Sequence, residues 1–437
     1  MKVCLINLPD AHSLDPCLDP PLGLMYLSST LKSNNIECEI LNLSFYPKSQ
    51  WWQLIESCPA SLYGLTVYTP SVYEANIVSK AIKSIHPNSN IVWGGPHASF
   101  CAIDIASHYP EVDFVIFGEG EETLLELCQK FDTPYKYGEI AGLANRQDKF
   151  FFISNMRSLI KNIDTISLPD RSISLKDYTR KVDGISATSI MTSRGCYGKC
   201  NFCDSHFYWK YPRYHSVERV AQELQQIKDI GYSAFYSWDD IFTTNHERLY
   251  KILDEIKQRN LSFRCNGDLR LDTKEVLQKL YDSGCKEICF GIESGDQRIL
   301  DIMNKHMTVE RNKQVLQWAK EVGIPVKAFL MVGSPGESWE SVKNTINFIK
   351  ETGPEYYTIF NFTPLPGSAF FNNPEKYKIK FRTKDWNQFF NVGGQNIGGL
   401  TIDTEFMTAE EIGEARKMMI AELPAQKGKL QDYYKKV

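Results

Sequence analysis

Two series of short apolar runs, each run followed by an amphipathic stretch, restrict this chain to parallel β-sheets with crossover helices. The first series has strand-like runs at 3–8, 37–43, 62–68, 91–93 and 114–117, with helical patterns at 23–32, 72–85 and from Glu122. The second begins near Ile185, with runs at 186–192, 234–238, 262–266, 287–292, 325–332 and 356–362. Helical patterns at 217–229, 247–259, 274–282, 311–322 and 339–351 separate them. The expected fold is α/β: a Rossmann-like, doubly wound parallel sheet over 1–140 and a partial (β/α)6 barrel over 186–369. Residues 141–185 read as a connection with some strand content, and 370–437 as an aromatic-rich and then helical C-terminal region.

Composition narrows the function classes. The chain has 437 residues, is 43% hydrophobic and carries a formal charge of -4, so bulk attraction to nucleic acid or anionic lipid is not expected. No apolar stretch is long enough to span a bilayer. The N-terminus runs directly into a strand pattern without a signal-peptide profile. Twelve cysteines without a paired framework fit a reducing compartment, and a cytoplasmic location is expected. Cys4, Cys38 and Cys128 fall in apolar patterns and read as core thiols, whereas Cys17, Cys58 and Cys101 look loop-like.

The chemistry concentrates in the stretch Ser193-Arg194-Gly195-Cys196-Tyr197-Gly198-Lys199-Cys200-Asn201-Phe202-Cys203, which follows the first strand of the second series. Parallel barrels place their active groups at that end of the strands. Cys196, Cys200 and Cys203 have the spacing C-x3-C-x2-C, with no fourth cysteine nearby. Three thiolates ligate three irons of a 4Fe-4S cube and leave the fourth iron open to a small molecule. A closed electron-transfer cluster would call for a fourth cysteine, and a structural zinc site for a second ligand pair.

This loop resembles that of the radical S-adenosylmethionine (SAM) enzymes. In that family SAM chelates the open iron, and one-electron reduction yields a 5′-deoxyadenosyl radical. The resemblance places Phe202 near the adenine, Glu293, Ser294 and Asp239 at the SAM amine or ribose, and Arg264 at the SAM carboxylate. The strand ends Trp238-Asp239-Asp240-Ile241-Phe242, Gly291-Ile292-Glu293-Ser294-Gly295 and Met331-Val332-Gly333-Ser334-Pro335-Gly336-Glu337 are similar to those of the subgroup with an N-terminal cobalamin-binding domain.

The first series also resembles that subgroup, through Pro21-Leu22-Gly23, Gly94-Gly95-Pro96-His97 and Gly118-Glu119-Gly120-Glu121. Glycines after the fourth and fifth strands allow a large flat ligand to approach the backbone. By resemblance these segments line cobalamin, with Tyr68 and Thr69 beside its lower face. Asp10-Ala11-His12 has the Asp and His of the corrinoid motif D-x-H-x-x-G but lacks its glycine, which leaves His12 as a possible cobalt ligand. The resemblance covers roughly residues 1–370. It implies methylation of an unactivated carbon of a small-molecule or natural-product substrate, with electrons from a donor such as flavodoxin or ferredoxin. A rearrangement, ring contraction or cyclisation, with or without cobalamin, is the alternative within the family, and a non-catalytic corrinoid or Fe-S carrier the alternative outside it.

Overall fold

The apolar run at the start of the chain forms β1 (Lys2–Asn7), in which Val3, Cys4, Leu5 and Ile6 are all buried. A strand buried on both faces belongs inside a covered parallel sheet. β1 pairs in parallel with β2 (Glu37–Asn42) on one side and β3 (Leu62–Thr66) on the other. β4 (Asn90–Gly94) and β5 (Phe114–Ile116) extend the parallel sheet, and β6 (Leu143–Gln147) and β7 (Phe150–Ile153) add an antiparallel edge. The order β2-β1-β3-β4-β5-β6-β7 reverses direction between β1 and β3, the crevice where open α/β sheets bind ligands. Val3 and Leu5 pack with Leu24, Leu31, Leu124 and Leu127 of helices Leu22–Ser33 and Gly120–Gln129. On the other face Trp93 Nε1 donates to Ser79 Oγ at 3.0 Å, tying β4 to helix Val72–Ile85.

This computed structural model describes residues 1–9, 13, 15–147, 150–173, 178–390 and 399–423. It divides into two compact units, Met1–Thr179 and Arg180–Val437. The segment 141–185 supplies β6 and β7 to the first sheet and β8 (Lys181–Val182) to the second. Among the described residues no helix is long and apolar enough to cross a membrane.

The second unit contains β9 (Ile185–Ile190), a small antiparallel pair β10 (Ser193–Arg194) and β11 (Arg213–Tyr214), then β12 (Ala234–Ser237), β13 (Ser262–Asn266), β14 (Cys285–Glu293), β15 (Val326–Val332) and β16 (Tyr356–Asn361). The main sheet has the order β16-β15-β14-β13-β12-β9-β8, with every pairing parallel except β8 to β9. Sheets with both edges free in this way are open barrels, short of the eight-strand closure. Side chains alternate across it. Val326, Ala328, Leu330 and Val332 of β15 are buried in the core between sheet and helices, whereas Lys327, Phe329 and Met331 between them stay partly exposed. β13 alternates likewise, with Phe263 and Cys265 buried and Arg264 and Asn266 partly exposed. A closed eight-stranded barrel fills its interior with side chains; here Lys327, Phe329 and Met331 on the interior face keep part of their surface exposed, while Tyr236 and Cys289 are buried.

The C-terminal region mixes strand and helix. β17 (Lys380–Phe381) pairs antiparallel with β18 (Ile402–Asp403) ahead of helix Ala409–Glu422. That helix buries Ile412 and Met419 in the barrel core, and Arg416 Nε donates to Ile359 O at 3.1 Å. It covers the last barrel strand, which would otherwise lack a layer on its outer face.

One buried group gives the first unit a pH signature. His97 is 1% exposed, and its Nδ1 lies 3.1 Å from Thr69 Oγ1. Burial pulls its pKa down to about 4, against a weaker pull upward from Asp104. The unfolded chain takes up this proton near pH 6.5 and the folded chain near pH 4, so stability is present above that window and falls as pH drops through it. Between pH 7 and pH 4.5 the loss from this group is about 2 kcal/mol. Urea unfolding should show that His97→Gln loses less stability over this range than the parent chain; equal losses would refute the assignment.

Candidate functional site

The cysteine loop leaves the carboxyl end of β9 through β10 and is held there by a carboxylate. Asp239, 1% exposed after β12, accepts the N–H groups of Thr192 (2.6 Å) and Ser193 (3.0 Å) on one oxygen and the Thr192 hydroxyl on the other. Asn266 Nδ2 donates to Asp239 O at 2.9 Å, linking the ends of β12 and β13. Gly195 then turns the chain with φ +91, and a Cβ there would meet Trp209 Cβ and Tyr211 O at 2.8 Å. Only glycine suits both the conformation and the space.

Beyond this turn the loop is anchored by backbone and amide contacts. Asn201 N and Nδ2 donate to the carbonyls of Met303 and Ile302, each at 2.8 Å. Asn304 Nδ2 donates to Lys199 O at 2.7 Å, and Phe370 N to Asn201 O at 3.0 Å. Cys196, Cys200 and Cys203 are partly exposed, and Gly198 N donates to Cys196 Sγ at 3.2 Å. N–H groups aimed at sulfur are what a cluster-ligating thiolate uses. Burial raises the Cys200 thiol pKa, and the nearby Lys305 and Arg270 oppose that rise. Three half-buried thiols on one pinned loop, with two cations beside them, fit a three-cysteine iron-sulfur cluster.

Both cations are fixed in place. Lys305 Nζ lies 2.9 Å from Glu293 Oε1 and 5.5 Å from the centre of the Phe202 ring. Arg270 stacks on Tyr197 at 4.4 Å and pairs with Asp268 at 2.9 Å, and the Tyr197 hydroxyl donates to Asp268 as well. Neither Lys305 nor Arg270 stood out in the sequence. Arg270 had a usable signal, because it follows the carboxyl end of β13, the same edge of the barrel as the cysteines. Lys305 had none, since it lies in a turn between two helices.

The expected SAM contacts fall into two groups. Glu293 and Phe202 come together beside Cys200 through Lys305. Glu293 ends β14 at φ +63, where the register with β15 shifts; a non-glycine residue in that region is strained, and such strain gathers at functional sites. Ser294, Asp239 and Arg264 are engaged elsewhere. The Ser294 hydroxyl is buried 3.1 Å from Thr345 Oγ1 and accepts Asp296 N at 3.2 Å, which shapes the turn after β14. Asp239 is spent on the loop backbone. Arg264 pairs with Glu287 at 2.6 Å, meets Cys289 Sγ at 3.1 Å and stacks on Tyr236 at 5.0 Å on the interior face of the barrel.

In the first unit, the loops after β3, β4 and β5 are stitched to one another. Val67 N donates to Gly94 O at 2.8 Å and His97 N to Val67 O at 3.2 Å. Gly95 has φ +96, and a Cβ on it would lie 3.0 Å from Val67 O. Pro96 and His97 open the short helix Pro96–Phe100, whose Ser99 Oγ accepts Gly118 N at 3.0 Å. Pro21 caps and Leu22 begins helix Leu22–Ser33, and Gly120 begins Gly120–Gln129. Tyr68 presents its ring to solvent while Thr69 is buried. Glu119 and Glu121 are buried, and Glu119 Oε2 accepts Ile160 N at 2.9 Å, a supporting contact. His12 lies outside the described residues. The loop after β3 borders the strand-order reversal, Gly95 lets the next loop close onto it, and at Gly118 a Cβ would meet nothing within 4 Å, leaving backbone open to a planar ligand, so this edge fits a corrin.

Comparison with known proteins accords with this chemistry. Residues 190–349 match the radical SAM superfamily, and residues 19–128 match the B12 binding domain. An uncharacterized methyltransferase of Pyrococcus horikoshii is 32% identical over 379 residues, covering 84% of this chain and 82% of its own. Cytidylyl-2-hydroxyethylphosphonate methyltransferase of Streptomyces wedmorensis is 26% identical, covering 84% of this chain and 80% of its own. The anaerobic magnesium-protoporphyrin IX monomethyl ester cyclase of Cereibacter sphaeroides is 27% identical, with 79% of this chain matched and 60% of that one. Among solved structures, the radical SAM methyltransferase TsrM of Kitasatospora setae, with cobalamin and a 4Fe-4S cluster bound, superposes with a TM-score of 0.75 at 17% identity, covering 95% of this chain and 85% of its own. With a pinned three-cysteine loop on an open barrel and a stitched corrin-type edge on the first sheet, this chain belongs to the cobalamin-binding radical SAM family.

Proposed function

We propose that this protein transfers a methyl group to an unactivated carbon of a small molecule held in the barrel interior. The observation that carries the reading is the three-thiol loop at the carboxyl end of β9, flanked by Arg270 and the Lys305–Glu293 pair on the same edge of the barrel. When bound, the cluster and SAM supply a 5′-deoxyadenosyl radical, and cobalamin supplies the methyl group.

Cys196, Cys200 and Cys203 would hold three irons. Glu293 accepts hydrogen bonds and suits an ammonium group, while Lys305 and Arg270 donate and suit a carboxylate; together they match the two ends of an amino acid. Phe202, set against Phe362 and Phe370, gives an apolar wall for a flat ring. The substrate would rest on the interior face toward the carboxyl ends of the strands, where Phe329 and Met331 of β15 are partly exposed and the alternate residues Ala328 and Leu330 are fixed by packing on the outer face. Asp239 acts at one remove, as a positioning residue for the loop. The protein works in the cytoplasm with a small flavodoxin- or ferredoxin-type electron donor. Cyclisation is the second reading, favoured by similarity to the Cereibacter sphaeroides cyclase.

Three measurements test these roles. In anaerobically reconstituted protein with dithionite and SAM, Cys200→Ala should abolish 5′-deoxyadenosine formation while hydroxocobalamin still binds. Loss of corrin binding in the same variant would show that the two cofactor sites are not separable. Glu293→Gln should raise the KM for SAM about tenfold, with unchanged iron content, because the loss of one charge-assisted contact costs ~1.5 kcal/mol; iron loss would recast Glu293 as a structural residue. Asp239→Ala should lower iron incorporation and cost ~2–3 kcal/mol of stability. Asp239→Asn retains an acceptor for both backbone N–H groups and should restore most of the iron, with little change in SAM KM once loaded.

A further inference from the structure

The first unit carries a cluster of two thiols and a carboxylate, remote from the edge that fits cobalamin. Cys4 on β1 stands directly opposite Glu39 on β2 in the parallel register, and Cys58, just before β3, lies over them. Cys4 Sγ and Cys58 Sγ are 3.0 Å apart, the Glu39 carboxylate touches Cys58 Sγ, and the three ligand atoms all lie within 4.8 Å of one another. The strand ends that carry Tyr68, Gly95 and Gly118 are at the other end of the sheet, because Cys4 and Glu39 sit in the amino-terminal halves of their strands.

We propose that Cys4, Cys58 and Glu39 bind one thiophilic divalent cation, for which zinc is the probe. Two thiols and a carboxylate in mutual contact repel one another once ionised. A divalent cation removes that conflict. Binding releases the two thiol protons to solvent and leaves two thiolates, one carboxylate and the cation with a net charge of -1. Lys2 Nζ, 2.8 Å from Glu39 Oε1, balances that remainder. Tetrahedral zinc at ~2.3 Å from sulfur separates two thiolates by about 3.7 Å, so the pair, now 3.0 Å apart, must open by about 0.7 Å.

The surroundings suit such a site. Tyr63 donates its hydroxyl to Cys58 O at 2.7 Å and accepts Ala60 N at 3.2 Å, fixing the turn that presents Cys58. Supporting contacts of this kind hold ligands in place around bound metals. Cys4 is fully buried and Cys58 is 7% exposed, whereas the Glu39 side chain is 43% exposed. A cation would enter past Glu39, and a water could complete its coordination on that side. A disulfide is the competing use of the two thiols.

The test uses the full chain, reconstituted with iron and sulfide, incubated with zinc under reducing conditions and desalted. Metal analysis should give about one zinc per chain beyond the iron, with zinc–sulfur scattering at ~2.3 Å in X-ray absorption. Cys58→Ser and Glu39→Gln should each weaken zinc retention at least about tenfold while iron content and hydroxocobalamin binding persist. Cys38→Ser, which alters a nearby buried thiol outside the cluster, should leave zinc unchanged. No retained zinc in the parent chain, equal zinc in Cys58→Ser, or a Cys4–Cys58 disulfide in protein kept free of oxidant would each overturn the proposal. None of these readouts depends on methyl transfer.

Discussion

A buried carboxylate at the end of a barrel strand sets the geometry on which the cysteine loop depends. Asp239 receives two backbone N–H groups and a hydroxyl from Thr192 and Ser193, while its own carbonyl takes Asn266. A carboxylate this deep persists only when its lone pairs are filled. The interaction therefore works in both directions: the loop solvates the charge, and the charge fixes the loop. Without it, the chain between β9 and Cys196 would carry unpaired N–H groups at a buried position. The turn at Gly195 and the loop's bridges to Ile302, Met303 and Asn304 follow from that starting point.

Much of this was legible in the sequence, for definable reasons. The cysteine loop could be read because its spacing is local and its chemistry is nearly unique to iron. The parallel strands could be read because each combines an apolar run with a following helix, and observed strands such as Ser262–Asn266 and Val326–Val332 agree with the pattern within a residue or two. Roles set by distant partners could not be read. Ser294 and Asp239 have the right chemistry to meet a cofactor, yet Thr345 and Thr192 claim them, at separations of 51 and 47 residues. Arg264 looked free for a carboxylate, but Glu287 faces it across the strand register. The short pairing of Lys380–Phe381 with Ile402–Asp403 is too brief to imprint a period on the sequence.

The charges near the cluster loop also obey a single logic. Lys305 and Arg270 each carry an acidic partner, Glu293 and Asp268, at 2.9 Å. Paired in this way, the cations keep their charge and their orientation before any ligand arrives. A buried lysine without a partner would shift toward its neutral form, whereas the arginine stays charged in any case and gains its orientation from the pair. Preorganised donors and acceptors of this type cost little reorganisation when a zwitterionic ligand binds.

The alternation along β15 has an evolutionary consequence. Val326, Ala328, Leu330 and Val332 hold the fold, and Lys327, Phe329 and Met331 between them are partly exposed on the interior face. Stability and molecular recognition are thus written on the same strand in separate, interleaved letters. Substitutions at Lys327 and Phe329 can remodel that face without opening a void between sheet and helices, whereas Met331 also packs against Phe362 and Phe370, so lineages sharing this scaffold are freest to diverge in what they recognise at the first two positions.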